Sequence, residues 1–378
     1  METKNGLKLI VIYDRLIGNT YFGWNSGHKL PKLKKYSLIA WNLLFLTLIS
    51  INCWFGIMSS FRIKSQFDVN HFRPNITKHS SVVPFLLFNV SYVSNSAQTL
   101  IIALFLVVRG HALLDLLNEK EVVKVSHKFE RKIGLFLVIV RLLFVLTIFV
   151  VSFFIFGIRK ESDLKITLLY IYFTIVYFLS TNTLLTVLSL ILYKSSIVCH
   201  QLNGLSQMDQ LSKVFLIVCR IRGSIRRFDS IIGFHNLLIL SMNSLLCISN
   251  LCMLTIVPEE TPLGSGLVVL LALVMVGALC LVCDLIPQSF DHLMIELNNK
   301  FGEKIESKSS VEQLSDRLVL LQLNGLRDEL CFTAFGLFRI NSNTLLSCVA
   351  LIISYCIVII QTTTSASNGQ PIGFNVTN

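Results

Sequence analysis

Residues 347–367 read SCVALIISYCIVIIQTTTSAS. As far as Ile360 the segment is apolar enough to cross a bilayer, which takes about 20 helical residues. Yet it is dotted with small polar groups, closes on Gln361 and then dissolves into Thr and Ser. Steps of three or four residues from Asn343 meet Ser347, Ala350, Ser354, Val358, Gln361 and Ser365, the spacing of one helical face. All but Val358 are small or polar, while Leu346, Ile352, Ile353, Ile357, Ile359 and Ile360 flank them with bulk. Two readings follow. Small residues let helices pack closely within one subunit. Alternatively the stripe faces water, with Val358 as a hydrophobic constriction and Gln361 as a polar ring above it. The Gln361 amide favours the second reading, because in lipid it has no partner. One helix cannot enclose a pore, so that reading needs several subunits. The carbonyl end of the helix, its negative pole, then faces the outer mouth and favours cations.

Six further stretches are long and apolar enough to span, near 37–61, 82–108, 133–157, 166–193, 233–257 and 265–286, with 344–361 the seventh. The chain has 378 residues, 53% hydrophobic and only 15% charged, against roughly 25% charged in soluble domains. These numbers predict an all-α membrane protein of seven transmembrane helices and no separate soluble domain. The first 36 residues hold no apolar core leading to a cleavage site, so no leader is expected to be removed. The net charge of +11 does not point to nucleic acid, because its distribution follows the bilayer. Lys and Arg number 25 on the side of the amino terminus and 7 on the other. The positive-inside rule therefore predicts a cytosolic amino terminus and an extracellular carboxyl tail, with basic inner loops facing anionic membrane lipids. Sequons at Asn75 and Asn375 fall on the expected outer side as glycosylation sites, whereas the one at Asn89 falls inside a span. No outer loop carries one of the ten cysteines, so no extracellular disulfide is expected.

The expected organisation is a cytosolic segment 1–36, helices one to six with their loops over 37–286, cytosolic anchor helices over 287–343, helix seven over 344–361, and an outer tail over 362–378. Within the anchor region, Ser310 and Gln313 resemble a capping box. There Val311, Leu314, Leu318 and Leu321 form an apolar stripe that needs a partner surface, in the same chain or in another. Chemistry is sparse. Arg141 and Asp284 are the ionisable groups at membrane depth. Each is expected to snorkel to the interface, with an ion pair between their helices as the alternative. His111 and Asp115 share an ordinary amphipathic face, and the Cys280-x-x-Cys283 pair in an apolar helix reads as packing. No metalloprotease, nucleophile-elbow or phosphate-loop motif is present, and neither an enzyme nor a cofactor is expected.

The segment 354–362, SYCIVIIQT, resembles the signature of the insect gustatory receptors: Thr-Tyr, five hydrophobic residues, then Gln-Phe. Tyr355 and Gln361 match, while Ser354 stands for the usual Thr and Thr362 for the usual Phe. The run AFGLFRINSNTLLSCVALI (334–352) resembles that family's approach to its last helix. The resemblance extends to the layout of seven spans, cytosolic amino terminus, long third inner loop and short outer tail. It implies a ligand-gated cation channel assembled as a homo- or heterotetramer with other gustatory receptor subunits, in the plasma membrane of sensory neurons. The last helix would line the pore, with Ser347, Ala350 and Ser354 leading to a gate at Val358 and a ring at Gln361. The inner helices would form an anchor where subunits meet. A small-molecule tastant would enter the outer half of the bundle, which holds Ser91, Tyr92, Asn95, Phe149, Phe153, Tyr170, Tyr177 and Asn250. The lack of a carboxylate cluster for sugar hydroxyls leans towards bitter or hydrophobic compounds. Two rivals belong to other classes. A G-protein-coupled seven-helix receptor has its amino terminus outside, against the charge split. A small-molecule transporter is disfavoured by the missing repeat and the missing chain of buried carboxylates.

Overall fold

The computed structural model describes residues 5–16, 82–118, 125–157, 164–256, 262–306 and 310–368, with scattered helical positions between 40 and 54. The elements are α1 (Asn5–Leu16), α2 (Val82–Leu117), α3 (His127–Gly157), α4 (Leu164–Leu205), α5 (Leu211–Ile256), α6 (Pro262–Glu306), α7 (Ser310–Gly325), β1 (Thr333–Ala334), β2 (Phe338–Arg339) and α8 (Ser342–Asn368). Near-continuous runs of Leu, Ile, Val and Phe give α2 to α6 and α8. Among the described residues, five helices are long and apolar enough to cross a membrane, with windows Val93–Gly110, Thr181–Leu205, Leu211–Cys252, Gly266–Phe301 and Ser342–Gln361. Most of the expected first span, 37–61, lies outside the described residues.

The helices outrun the bilayer. With 46 residues, α5 is about 69 Å long at 1.5 Å per residue, more than twice the roughly 30 Å hydrocarbon thickness. α6 carries Pro287 in its interior and continues through the expected boundary at 287, so membrane span and anchor helix form one rod. α5 is the organising element and packs against α2, α6, α8, α7 and β1. The main core gathers Tyr193 of α4, Ile225 and Phe228 of α5, Phe290 of α6 and Phe332 before β1. A smaller apolar cluster joins Cys247 and Cys252 of α5, Val269 and Ala272 of α6, and Ile352 and Cys356 of α8.

Two features add to the sequence-based layout. First, α1 is a packed helix lying against α3. Leu7, Ile10, Val11, Tyr13 and Asp14 are buried. Gly6 and Gly134 make that packing possible, since a Cβ on either would collide with the backbone of the opposite helix, the close approach that small residues allow between membrane helices. Second, the apolar stripe of α7 is left uncovered by the described residues. Leu314, Leu318 and Leu321 are 63%, 49% and 69% exposed, while Leu323 turns inward.

Candidate functional site

α8 begins where the sequence can cap it. The Thr344 N–H donates to Asn341 Oδ1 at 3.0 Å and the Asn341 N–H donates to Thr344 Oγ1 at 3.3 Å, a reciprocal capping box. Ser342 Oγ donates to Asp284 Oδ2 at 2.6 Å and ties the start of α8 to α6. From there the helix shows two opposite faces. Ile352 and Cys356 are buried, with Leu345, Cys348 and Ile359 packed beside them. Asn343, Ser347, Ala350, Ser354, Val358 and Gln361 are all exposed. At about 100° per residue their mean direction lies roughly 180° from the buried face. Among the described residues, the stripe therefore takes no part in packing within the subunit. Its hydroxyls need no partner, since Ser347 Oγ donates to Asn343 O at 3.0 Å and Ser354 Oγ to Ala350 O at 2.8 Å. Leu346, Ile353 and Ile357 border it on one side and Leu351 and Tyr355 on the other, all exposed. A polar seam with apolar margins, on a transmembrane segment only 11% buried in its own chain, suits a water-facing surface whose margins are covered by neighbouring protein or lipid.

The hairpin that delivers the chain to α8 is clamped to α5. Asp229 accepts from the Thr333 N–H at 2.9 Å and from Thr333 Oγ1 at 2.5 Å. Asn236 Nδ2 donates to Thr333 O at 3.1 Å, and the Phe335 N–H donates to Gly233 O at 2.9 Å. A Cβ on Gly233 would press against Phe335 N at 3.1 Å, so a glycine here lets the hairpin approach. Phe335 and Gly336 both have positive φ, 56° and 73°, a conformation a phenylalanine rarely adopts. The bond to Gly233 and the edge of the Phe234 ring, 5.8 Å between centroids, hold it there. Around this joint Glu329 pairs with Arg222 and Arg226, Arg327 with Asp291 and Arg339 with Asp328. The Asp291 carboxylate raises the Arg327 pKa above its ordinary value, and burial pushes the Cys331 thiol up.

The membrane-depth charges are placed differently from the sequence-based expectation. Arg141 neither snorkels nor braces against Asp284. Its Nη1 lies 2.6 Å from Asp14 Oδ1 of α1, with both side chains buried. Nη2 donates to Thr186 Oγ1 at 2.8 Å, Thr186 Oγ1 approaches Asp14 Oδ1 at 3.0 Å, and the guanidinium lies 4.5 Å from the centroid of the Tyr13 ring. The physical reason is local: a charge inside the bundle needs an opposite charge with further hydrogen bonds, and α1 supplies one. Asp284 instead accepts from Ser342 and Gln288.

Of the expected pocket residues, Asn95 on α2 and Asn250 on α5 are part-buried, with Asn250 Nδ2 donating to Leu246 O at 2.8 Å. The side chains of Ser91, Tyr92, Phe149, Phe153, Tyr170 and Tyr177 lie outside the described ones, as do Asn75, Asn375 and the side chain of Thr362. A polar group near these residues was missed by sequence reasoning. Gln98, one turn deeper than Asn95, is fully buried, and neither atom of its amide has a hydrogen-bond partner. Its signal was the run SNSAQT (94–99) in the middle of an apolar span. Cys280 and Cys283 are both buried in the core, in keeping with packing. Among the described residues no three His, Cys, Asp or Glu side chains gather as a metal site.

An all-α membrane protein with rods that outrun the bilayer and a last helix left mostly uncovered defines an architecture known from solved structures. The chain is similar to the insect olfactory receptor OR5 from Machilis hrabei in complex with eugenol, with a TM-score of 0.67 and 14% identity over 94% of this chain and 97% of that one. A second structure of OR5 gives a TM-score of 0.62 and 13% identity at the same coverage. No family model matches the sequence, and no curated protein matches it. The chain has the fold of the insect olfactory receptor OR5.

Proposed function

We propose that this chain is a subunit of a ligand-gated, weakly selective cation channel of the insect gustatory type, in the plasma membrane of sensory neurons. One observation carries the reading: the seam of Ser347, Ala350, Ser354, Val358 and Gln361 points directly away from the helix's own bundle. Four such helices around an axis put the seams on water, Val358 at the constriction and Gln361 above it, with the bulky margins covered by neighbouring copies. The exposed α7 leucines then meet other subunits in the cytosolic anchor. The relative OR5 is a receptor solved with eugenol, and the fold-level analogy extends to a small organic ligand here. Its pocket lies in the outer half of the bundle, lined by Ser91, Tyr92, Asn95, Phe149, Phe153, Tyr170, Tyr177 and Asn250. Gln98 at its floor supplies an unpartnered amide for a hydrogen-bonding group on a bitter or hydrophobic tastant. Binding biases the gate only by a higher affinity for the open state. Asn75 and Asn375 carry glycans on the outer face.

Whole-cell recording from cells expressing the chain, alone and with partner receptor subunits, tests the proposal with a tastant panel. The expected result is a ligand-evoked cation current whose permeation changes in Gln361→Ala. A current unaltered by changes at both Gln361 and Val358 removes the pore from α8.

A further inference from the structure

The hairpin over 333–339 turns outward large apolar side chains that the described residues leave uncovered. Phe335, Leu337 and Phe338 are 62%, 68% and 43% exposed, and Phe234 of α5, beside Phe335, is 42% exposed. Bulky apolar groups clustered on a surface mark a place where something binds. The hairpin itself is tightly bonded. The Leu337 N–H donates to Ala334 O and the Ile340 N–H to Phe332 O, both at 3.0 Å. The Gly336 N–H donates to Thr333 Oγ1 at 2.9 Å, while Phe332, Ala334 and Ile340 are buried beneath. Phe335 holds a φ of 56°, a costly conformation for a residue with a Cβ, and gains little burial from it. Strain that presents a large apolar ring outward, without filling a core, points to function.

Position and composition say what meets it. Thr344 Oγ1 donates to Arg339 O at 2.9 Å, so β2 is pinned to the first turn of α8, where the exposed seam begins at Asn343. The membrane window of α8 opens at Ser342, which puts the hairpin at the inner boundary of the bilayer. Aromatic groups that serve lipid at such a boundary are Trp and Tyr, whose polar edge meets the headgroups. Phe and Leu have no such edge. Next to Phe338 stands the exposed ion pair of Arg339 with Asp328, and across the joint Arg226 pairs with Glu329. An aromatic, apolar centre within a charged rim is the anatomy of a protein–protein contact. We propose that the hairpin is a subunit contact at which Phe335, Leu337 and Phe338 pack against a second copy of this chain. The inference rests on the reading that copies assemble around α8, and adds a contact just below the seam.

The test uses the full chain with photoreactive benzoylphenylalanine in place of Leu337, of Phe338 or of Tyr355 on α8. Two differently tagged forms are expressed together in one membrane, irradiated, denatured and separated. All three positions are exposed, so each protein should fold, which size-exclusion recovery in detergent checks before irradiation. Leu337 and Phe338 are expected to give a two-chain product carrying both tags, severalfold more abundant than in the dark. Mass spectrometry of that product should place the hairpin peptide on a peptide of the other copy. Tyr355 reports separately on assembly around α8. Two-chain product from Tyr355, with the hairpin positions linked only to lipid or within their own chain, overturns the hairpin contact and leaves that assembly standing. No two-chain product from any position overturns both.

Discussion

Replacing Asp14 with alanine leaves the Arg141 guanidinium charged inside the bundle, with Thr186 Oγ1 at 2.8 Å, the Asn182 carbonyl at 3.4 Å and the Tyr13 ring at 4.5 Å to face it. Asp14 and Arg141 are 0% and 2% exposed, so water screens little of the loss. Removing one partner of such a pair costs about 3–5 kcal/mol, whereas replacing both by apolar groups is often close to neutral. At roughly 2 °C per kcal/mol for a long chain, Asp14→Ala should unfold about 6–10 °C earlier. Arg141→Met should lose less, because Thr186 Oγ1 still donates to Asp14 Oδ1 at 3.0 Å. Asp14→Ala/Arg141→Met should recover most of the stability. The assay is thermal unfolding of the detergent-solubilised full chain, followed by size-exclusion recovery for all four proteins of the double-mutant cycle. A shift under about 2 °C for Asp14→Ala, or strictly additive single losses, refutes the seating of α1 against α3.

Gly134→Ala should cost about 1–3 kcal/mol through overpacking and lower the yield of folded protein, because its Cβ would strike Gly6. Gly277→Ala, with open space around it, should be neutral or gain about 0.5–1 kcal/mol in the same unfolding assay. Asp229→Ala strips the hairpin of both bonds to Thr333 and leaves a donor unpaired, a loss of about 1–3 kcal/mol visible as faster hydrogen exchange over 333–341. Val358→Ser should stay within about 0.5 kcal/mol of the parent, as exposed positions do, while altering any current the assembled receptor carries. Burial raises the Cys331 pKa, so its thiolate fraction at neutral pH falls. Maleimide labelling of Cys331 should therefore keep accelerating with pH beyond the range where an exposed thiol has levelled off.

Five spanning helices were legible because length and hydropathy specify a membrane helix, and the faces of α8 were legible because its polar positions repeat at helical spacing. The partner of Arg141 was not read. α1 is 12 residues long, too short to span, and was counted as part of a basic cytosolic segment. A signal was nevertheless present. Leu7, Ile10, Val11 and Asp14 fall at one helical face, and an acid within an apolar stripe is a request for a buried cation. The clamp between Thr333 and Asp229 was out of reach for another reason: it joins residues 104 apart, and no local pattern in either segment names the other. The unpartnered amide of Gln98 is a similar case, since only packing tells a buried polar group from a solvated one.

The contact between α1 and its partners also sets a schedule. Asp14 and Thr186 are 172 residues apart, and a ribosome adding about 5–20 residues per second makes the second roughly 9–34 s after the first. The cation Arg141 follows Asp14 by 127 residues, about 6–25 s at the same rate, and the hydroxyl comes later still, so α1 is without either until α3 is made. The helix is thus made early and seated late. A bulky tag fused just before it would have to remain outside a crevice that closes behind the helix, so tag position is expected to govern how much chain matures.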